Sequence, residues 1–122
     1  MPSAGRETFP KSARLRKRPE FLKLSRTGKK IHSRNFVVIY QTSERDLSRL
    51  GVTVSSKVGN AIVRNRIKRY VREAFRRRRY GFEPALDILV IAKKSACEVS
   101  SAQVEKELAT WLGSHWNGTI KD

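Results

Sequence analysis

The chain has 122 residues, enough for one compact domain with a modest core and too few for two. Lys and Arg number 27 against 11 Asp and Glu, a formal charge of +16. So large an excess excludes an ordinary solvated surface, because self-repulsion works against the compact state unless a polyanion neutralises it. Nucleic acid, which releases condensed counterions on binding, is the partner class that fits.

The apolar runs Phe36–Tyr40 and Ile88–Ala92 are five residues each, where a membrane-spanning helix needs about 20. The first residues lack the apolar stretch of a secretory signal, so the chain is expected in the cytoplasm and no membrane partner is expected. The acceptor pattern Asn117-Gly118-Thr119 then reads as a chance feature of a C-terminal tail. A single cysteine, Cys97, excludes an internal disulfide and a multi-thiolate metal site, and its neighbours Ala96 and Val99 suit a small buried or half-buried side chain.

In chain order, residues 1–18 lack an apolar period and read as a basic, largely extended arm. Pro19 suits a first helical position, Phe21, Leu22 and Leu24 follow, and Gly28 offers a left-handed stop, which predicts a first helix of two to three turns. Phe36–Tyr40 is β-branched and aromatic, while Leu50, Val52 and Val54 alternate with Gly51, Thr53 and Ser55. These are two strands, expected to pair as an antiparallel hairpin across the polar segment 42–48. From Ala61 the period becomes helical, with Val63, Ile67, Tyr70, Val71 and Ala74 on one core-facing arc. Asp87–Ala92 reads as a buried strand after a turn at Gly81 and Pro84. A last helix starts at Ser100, spaced to Gln103 as a capping box, and offers Val104, Leu108, Trp111 and Leu112 for burial before Gly113. The domain is expected to span residues 19–113, followed by a tail over 114–122. The order helix, strand, strand, helix, strand, helix predicts a single-domain α+β sandwich with a mixed sheet.

The charge is concentrated in two places. Residues 1–34 hold 11 basic and 2 acidic groups, and residues 64–79 hold 9 and 1. Projected at about 100° per residue, Asn65, Arg69, Arg72 and Arg76 lie opposite the apolar arc. Arg64 and Lys68 form one flank, and Arg66 and Arg77 the other. With Glu73 alone to pair with nine cations, salt bridges between successive turns cannot satisfy the segment. Forked guanidinium donors suit phosphates and bases, so this helix reads as an RNA-facing surface. Phe21, Phe36 and Tyr40 are candidates for stacking with unpaired bases, with a plain core role as the alternative.

No pattern supports catalysis by side chains. His32 and His115 lie outside any ligand motif, no phosphate loop ending in Lys-Ser or Lys-Thr occurs, and Asp46 and Asp87 read as a loop residue and a strand-edge residue.

The segment Gly59-Asn60-Ala61-Ile62-Val63-Arg64-Asn65-Arg66-Ile67-Lys68-Arg69 resembles the hallmark helix of the bacterial ribonuclease P protein family. Arg49–Val54 is similar to that family's second-strand signature, Asp87–Lys94 to its last strand, and Phe21 with Gly28 to its first helix. The likeness covers about residues 8–112. It implies an accessory protein subunit of a ribonucleoprotein that removes the 5′ leader from precursor tRNA, with catalysis by magnesium ions held mainly in the RNA subunit and one protein per RNA. It assigns Arg64, Asn65, Arg66, Lys68, Arg69 and Arg72 to the catalytic RNA, and Phe21, Phe36 and Lys57 to the single-stranded leader. It implies a left-handed βαβ crossover, which residue patterns alone would not have suggested. Ser25 stands where relatives often carry a second aromatic, and Ser55 and Ser56 where basic residues are common. A ribosomal or other structural RNA-binding protein, or a nucleoid DNA-binding protein, would share the charge pattern.

Overall fold

The computed structural model describes residue 14 and residues 18–43, 48–78 and 85–112. The elements run α1 (Arg18–Thr27), β1 (Lys29–His32), β2 (Phe36–Thr42), β3 (Arg49–Thr53), α2 (Ala61–Arg78), β4 (Leu86–Ala92), a short 3-10 turn (Lys94–Glu98) and α3 (Ser101–Leu112). The expected order holds, with one addition. Strand β1 has no strand signal of its own, since Lys29-Lys30-Ile31-His32 offers a single apolar residue and no alternation.

The sheet order is β1-β2-β4-β3. Strands β2 and β3 are therefore not a hairpin. β4 lies between them, antiparallel to β2 and parallel to β3, with Val38 opposite Val90 and Val90 opposite Val52. β3, α2 and β4 form a parallel βαβ unit, and the sheet is mixed as expected. Burial explains the arrangement. β2 and β4 are apolar on both faces and take the two central places, whereas β3 and β1, less apolar, take the edges.

The main core lies between the sheet and the α2–α3 layer, where Phe36, Val38, Leu50, Ile88 and Val90 meet Ile67, Val71, Phe75, Val104 and Leu108. Phe75 joins the expected arc, and Val63 and Tyr70 pack at its margin. A smaller cluster of Leu24, Ile39 and Leu89 holds α1 on the other face, with Phe21, Val37 and Ile91 around it.

Local chemistry sets the helix ends. Asn60 caps α2, its Oδ1 accepting from the Val63 N–H at 3.0 Å. Ser100 Oγ accepts from the Gln103 N–H while Gln103 Oε1 accepts from the Ser100 N–H, so the capping box of α3 forms as spaced. Gly28 ends α1 for a different reason than expected. Its φ lies outside the left-handed range, and a Cβ there would stand 2.7 Å from the Leu24 carbonyl oxygen and 2.8 Å from Ile39 Cγ2. Close approach, and not handedness, demands the glycine. The turn at Gly81 and Pro84, Asp46, the tail over 114–122 and the side chains of Trp111 and Leu112 lie outside the described residues. Of the basic arm, Arg14 is described, in a parallel bridge to Leu50 on the edge strand β3. Among the described residues no helix is long and apolar enough to cross a membrane.

Candidate nucleic-acid interface

Two surfaces of opposite character flank the sheet. The first is α2. Gly59 and Asn60 turn the chain into this helix, where a Cβ on Gly59 would stand 2.9 Å from the Val63 side chain. The Gly59 carbonyl in turn accepts from Arg64 Nε at 3.2 Å, which fixes that guanidinium at the helix start. On the opposite flank Arg66 Nη2 donates to the Cys97 carbonyl at 3.2 Å, tying α2 to the 3-10 turn. Asn65 and Arg69, one turn apart, are exposed, with Lys68 half-buried beside them. The Arg69 guanidinium carbon lies 5.5 Å from the Tyr70 ring centroid, a cation–π contact that restrains a long side chain in place. Ile62, 76% exposed in the first turn, stands on the same side.

Arg72 and Arg76 depart from the projected outward stripe, since both are half-buried. Burial, and then the neighbouring charge of Arg14, hold the Arg72 guanidinium below the ordinary arginine range. Arg14 comes near this side of α2, which no helical projection of α2 alone could show. Arg72 still carries its charge at neutral pH.

The second surface is the α1 side of the sheet. Glu20 reaches Arg49 at one end of α1, and the Thr27 hydroxyl meets Gln41 Oε1 at 2.7 Å at the other. Gln41, Asp87 and Arg49 are register partners in neighbouring strands, so α1 crosses the sheet over that row. The row His32, Val37, Ile91, Thr53 near the other end of the strands is left partly open: Val37 and Ile91 are half-buried, His32 and Thr53 exposed. Phe21 of α1 packs on the same apolar cluster as Val37 and Ile91, so α1 and the open row together bound a shallow cleft, with Ser25 half-buried one turn beyond Phe21.

Of the three residues expected at the leader, Phe21 alone is in this cleft. Phe36 is 0% exposed and belongs to the main core on the opposite face of the sheet, as does Tyr40. Neither ring is available for stacking, because strand alternation sends residues 36, 38 and 40 towards α2 and α3 and residues 37 and 39 towards α1. Lys57 is exposed on the turn between β3 and α2, four residues beyond Thr53, where its N–H donates to Ser55 Oγ at 3.3 Å. The floor residues Val37 and Ile91 were not singled out from the sequence, although that same alternation contained the signal. Asp87, expected at a strand edge, is instead buried in β4 against Arg49. Among the described residues no three His, Cys, Asp or Glu side chains gather as a metal site.

Comparison with known proteins adds to this geometry. The family model for ribonuclease P matches residues 9–115. The ribonuclease P protein component of Desulfatibacillum aliphaticivorans is 46% identical over 97 residues, 80% of this chain and 82% of the relative. That of Thermotoga maritima is 41% identical over 92 residues, 75% of this chain and 79% of the relative. The solved structure of the Staphylococcus aureus RNase P protein superposes with a TM-score of 0.80 at 34% identity, covering 89% of this chain and all of that one. The Thermotoga maritima protein gives 0.74 at 37% identity, covering 83% and 96%. With the match spanning nearly the whole domain and the same fold found in solved relatives, the chain belongs to the ribonuclease P protein component family.

Proposed function

We propose that this chain serves as the protein subunit of a ribonuclease P ribonucleoprotein that removes the 5′ leader from precursor tRNA. The observation that carries the reading is the pairing, on one small domain, of a cationic helix with a partly open apolar row, Val37 and Ile91, beside the half-buried Phe21. Arg64, Asn65, Arg66, Lys68, Arg69 and Arg72 contact the phosphates of the catalytic RNA, one protein per RNA. Phe21, Val37 and Ile91, with Lys57 near the β3 end, take the single-stranded leader. A mature tRNA lacks the leader and loses that contact, so precursor binds better than product, and the protein acts on substrate discrimination. Bond cleavage belongs to magnesium ions held mainly by the RNA. Cations on α2 that neutralise closely spaced phosphates reduce the magnesium needed to hold the RNA compact.

The test is cleavage of a 5′-extended precursor tRNA by a bacterial ribonuclease P RNA at low magnesium, with and without the purified protein. Restored cleavage at the correct position is expected. Tight RNA binding with cleavage unchanged would overturn the reading in favour of a structural RNA-binding protein, and a preference for duplex DNA in competition would favour a nucleoid protein.

A further inference from the structure

Strand β1 and the turn after it carry two cations, Lys30 and Arg34, that neither surface above accounts for. Lys30 pairs in register with Ile39 and His32 with Val37. Directly opposed residues in an antiparallel pair share a face, so Lys30 and His32 lie on the α1 side, and His32 continues the cleft floor to the sheet edge. Lys30, His32 and the next cation, Arg34, are all exposed, and none of them has an acidic partner among the described residues.

The turn that presents Arg34 is held from three sides. Glu107 of α3 accepts from the Ser33 hydroxyl at 2.7 Å and from the Asn35 side-chain amide. Lys93 Nζ donates to the Ser33 carbonyl at 2.6 Å, and Ser95 Oγ donates to the Arg34 carbonyl at 3.1 Å. A cationic edge needs no such fixation merely to discourage pairing with another strand, a task one lysine performs. Fixation does lower the ordering cost of binding.

We propose that Lys30, His32 and Arg34 form a phosphate-binding rail for the part of the RNA leader that emerges from the cleft at the β1 edge. The inference rests on the cleft reading above and extends it. Four strands spaced at about 4.8 Å make the floor about 15 Å wide from β3 to β1. A leader of one or two nucleotides stays within it, and a longer one that enters beside Phe21 and runs across the strands crosses the β1 edge, where an extended polyanion meets two exposed cations and an imidazole. The polymer is single-stranded RNA, since the floor is apolar and shallow and gives unpaired bases a place to lie while the rail meets their phosphates.

The experiment compares wild type with the double variant Lys30→Gln and Arg34→Gln, each bound to the RNA subunit, on precursors with a dinucleotide leader and with a leader several times longer. Melting temperatures of both proteins are recorded, and exposed positions predict little change. Wild type is expected to bind the long-leader precursor more tightly. The variant should lose that gain, roughly tenfold, and flatten the slope of log K against log salt by about 1.4 for two lost cationic contacts to a single strand. Its affinity for the dinucleotide-leader precursor and for the RNA subunit should stay as in wild type. A length gain that survives in the variant would overturn the rail and leave the cleft standing. Equal loss on all precursors, through weaker RNA-subunit binding, would also overturn it by moving the rail to the catalytic RNA. A wild type indifferent to the leader would remove both the rail and the cleft reading.

Discussion

Arg49 and Asp87 face each other across the parallel β3–β4 pair, and the guanidinium donates through Nε at 3.0 Å and Nη2 at 2.9 Å to the two carboxylate oxygens. Nη1 of the same group donates to Glu20 Oε2 at 2.9 Å, so one arginine ties α1 to the sheet. The hydrogen bonds from Asp87 raise the Arg49 pKa above its ordinary value, against the opposing effect of burial and with further help from Glu20. A raised basic group contributes stability that is present below its unfolded value and is lost only as pH climbs through the folded one. The contribution of this arginine is therefore constant across the neutral range.

The two arms of this bridge should differ in worth. Asp87 is buried with Arg49, at 12% and 11% side-chain exposure, and Asp87→Ala strands a buried cation, at a cost of about 3 kcal/mol in urea unfolding. Glu20 is 32% exposed, and Glu20→Ala should cost about 0.5 kcal/mol. That variant frees the start of α1, so it should weaken precursor binding relative to mature tRNA while hardly moving the unfolding midpoint. Equal unfolding costs for the two variants would show that α1 is held by Glu20 as firmly as the strands are by Asp87.

On α2, exposure and burial separate two arginines that a helical projection treats alike. Arg69→Ala should weaken binding to the RNA subunit and reduce the salt slope by about 0.7 to 0.9, with no change in melting temperature. Arg72 differs, because its depressed pKa means that the folded state disfavours its charge. At neutral pH that charge is a standing cost, lifted by neutralisation. Arg72→Met should hold or raise the melting temperature of the free protein while still weakening RNA binding. A lower melting temperature would show that Arg72 packing outweighs its electrostatic cost.

The elements legible in the sequence were those coded by neighbours in the chain: the Ser100–Gln103 box, the apolar arc of α2, and the apolar runs of β2 and β4. What stayed hidden depends on partners far apart in sequence. Arg49 and Asp87 are 38 residues apart, and nothing local marks either as paired. The hairpin expectation failed for the same reason, although one cue was present. Phe36–Tyr40 and Ile88–Ala92 are unbroken apolar runs, the mark of strands covered on both faces, whereas Leu50–Ser55 alternates as an edge strand can. The cationic stripe was legible as a whole, while the half-burial of Arg72 near Arg14 depends on a residue far away in sequence.

Gly28 tests close packing against chain flexibility. Gly28→Ala would reduce the freedom of the unfolded chain and stabilise a position with room for a methyl group by up to about 1 kcal/mol. Here the methyl carbon would meet the backbone oxygen of Leu24 at 2.7 Å, and backbone cannot yield as a flexible side chain can. The variant should be destabilised by about 1 to 3 kcal/mol, with α1 displaced from Ile39 and precursor selectivity reduced along with stability. A stabilised variant would show that α1 shifts freely over the sheet.

Phe21 and Phe36 make the sharpest contrast, since the same residue type lies on the two faces of one sheet. Phe21→Ala removes a half-buried ring beside the open row. It should weaken precursor binding by about 1 to 3 kcal/mol, the worth of one stacked base, and leave mature tRNA binding unchanged. Phe36→Ala empties a fully buried site among the side chains of the main core and should cost about 3 to 5 kcal/mol of folding stability. At a temperature where that variant remains folded, its preference for precursor over mature tRNA should equal that of wild type. Phe21→Leu adds a control, because it restores much of the apolar area without a flat ring. Recovery of stability without recovery of precursor preference would assign the Phe21 effect to stacking, and recovery of both would assign it to packing of α1 on Ile39 and Leu89.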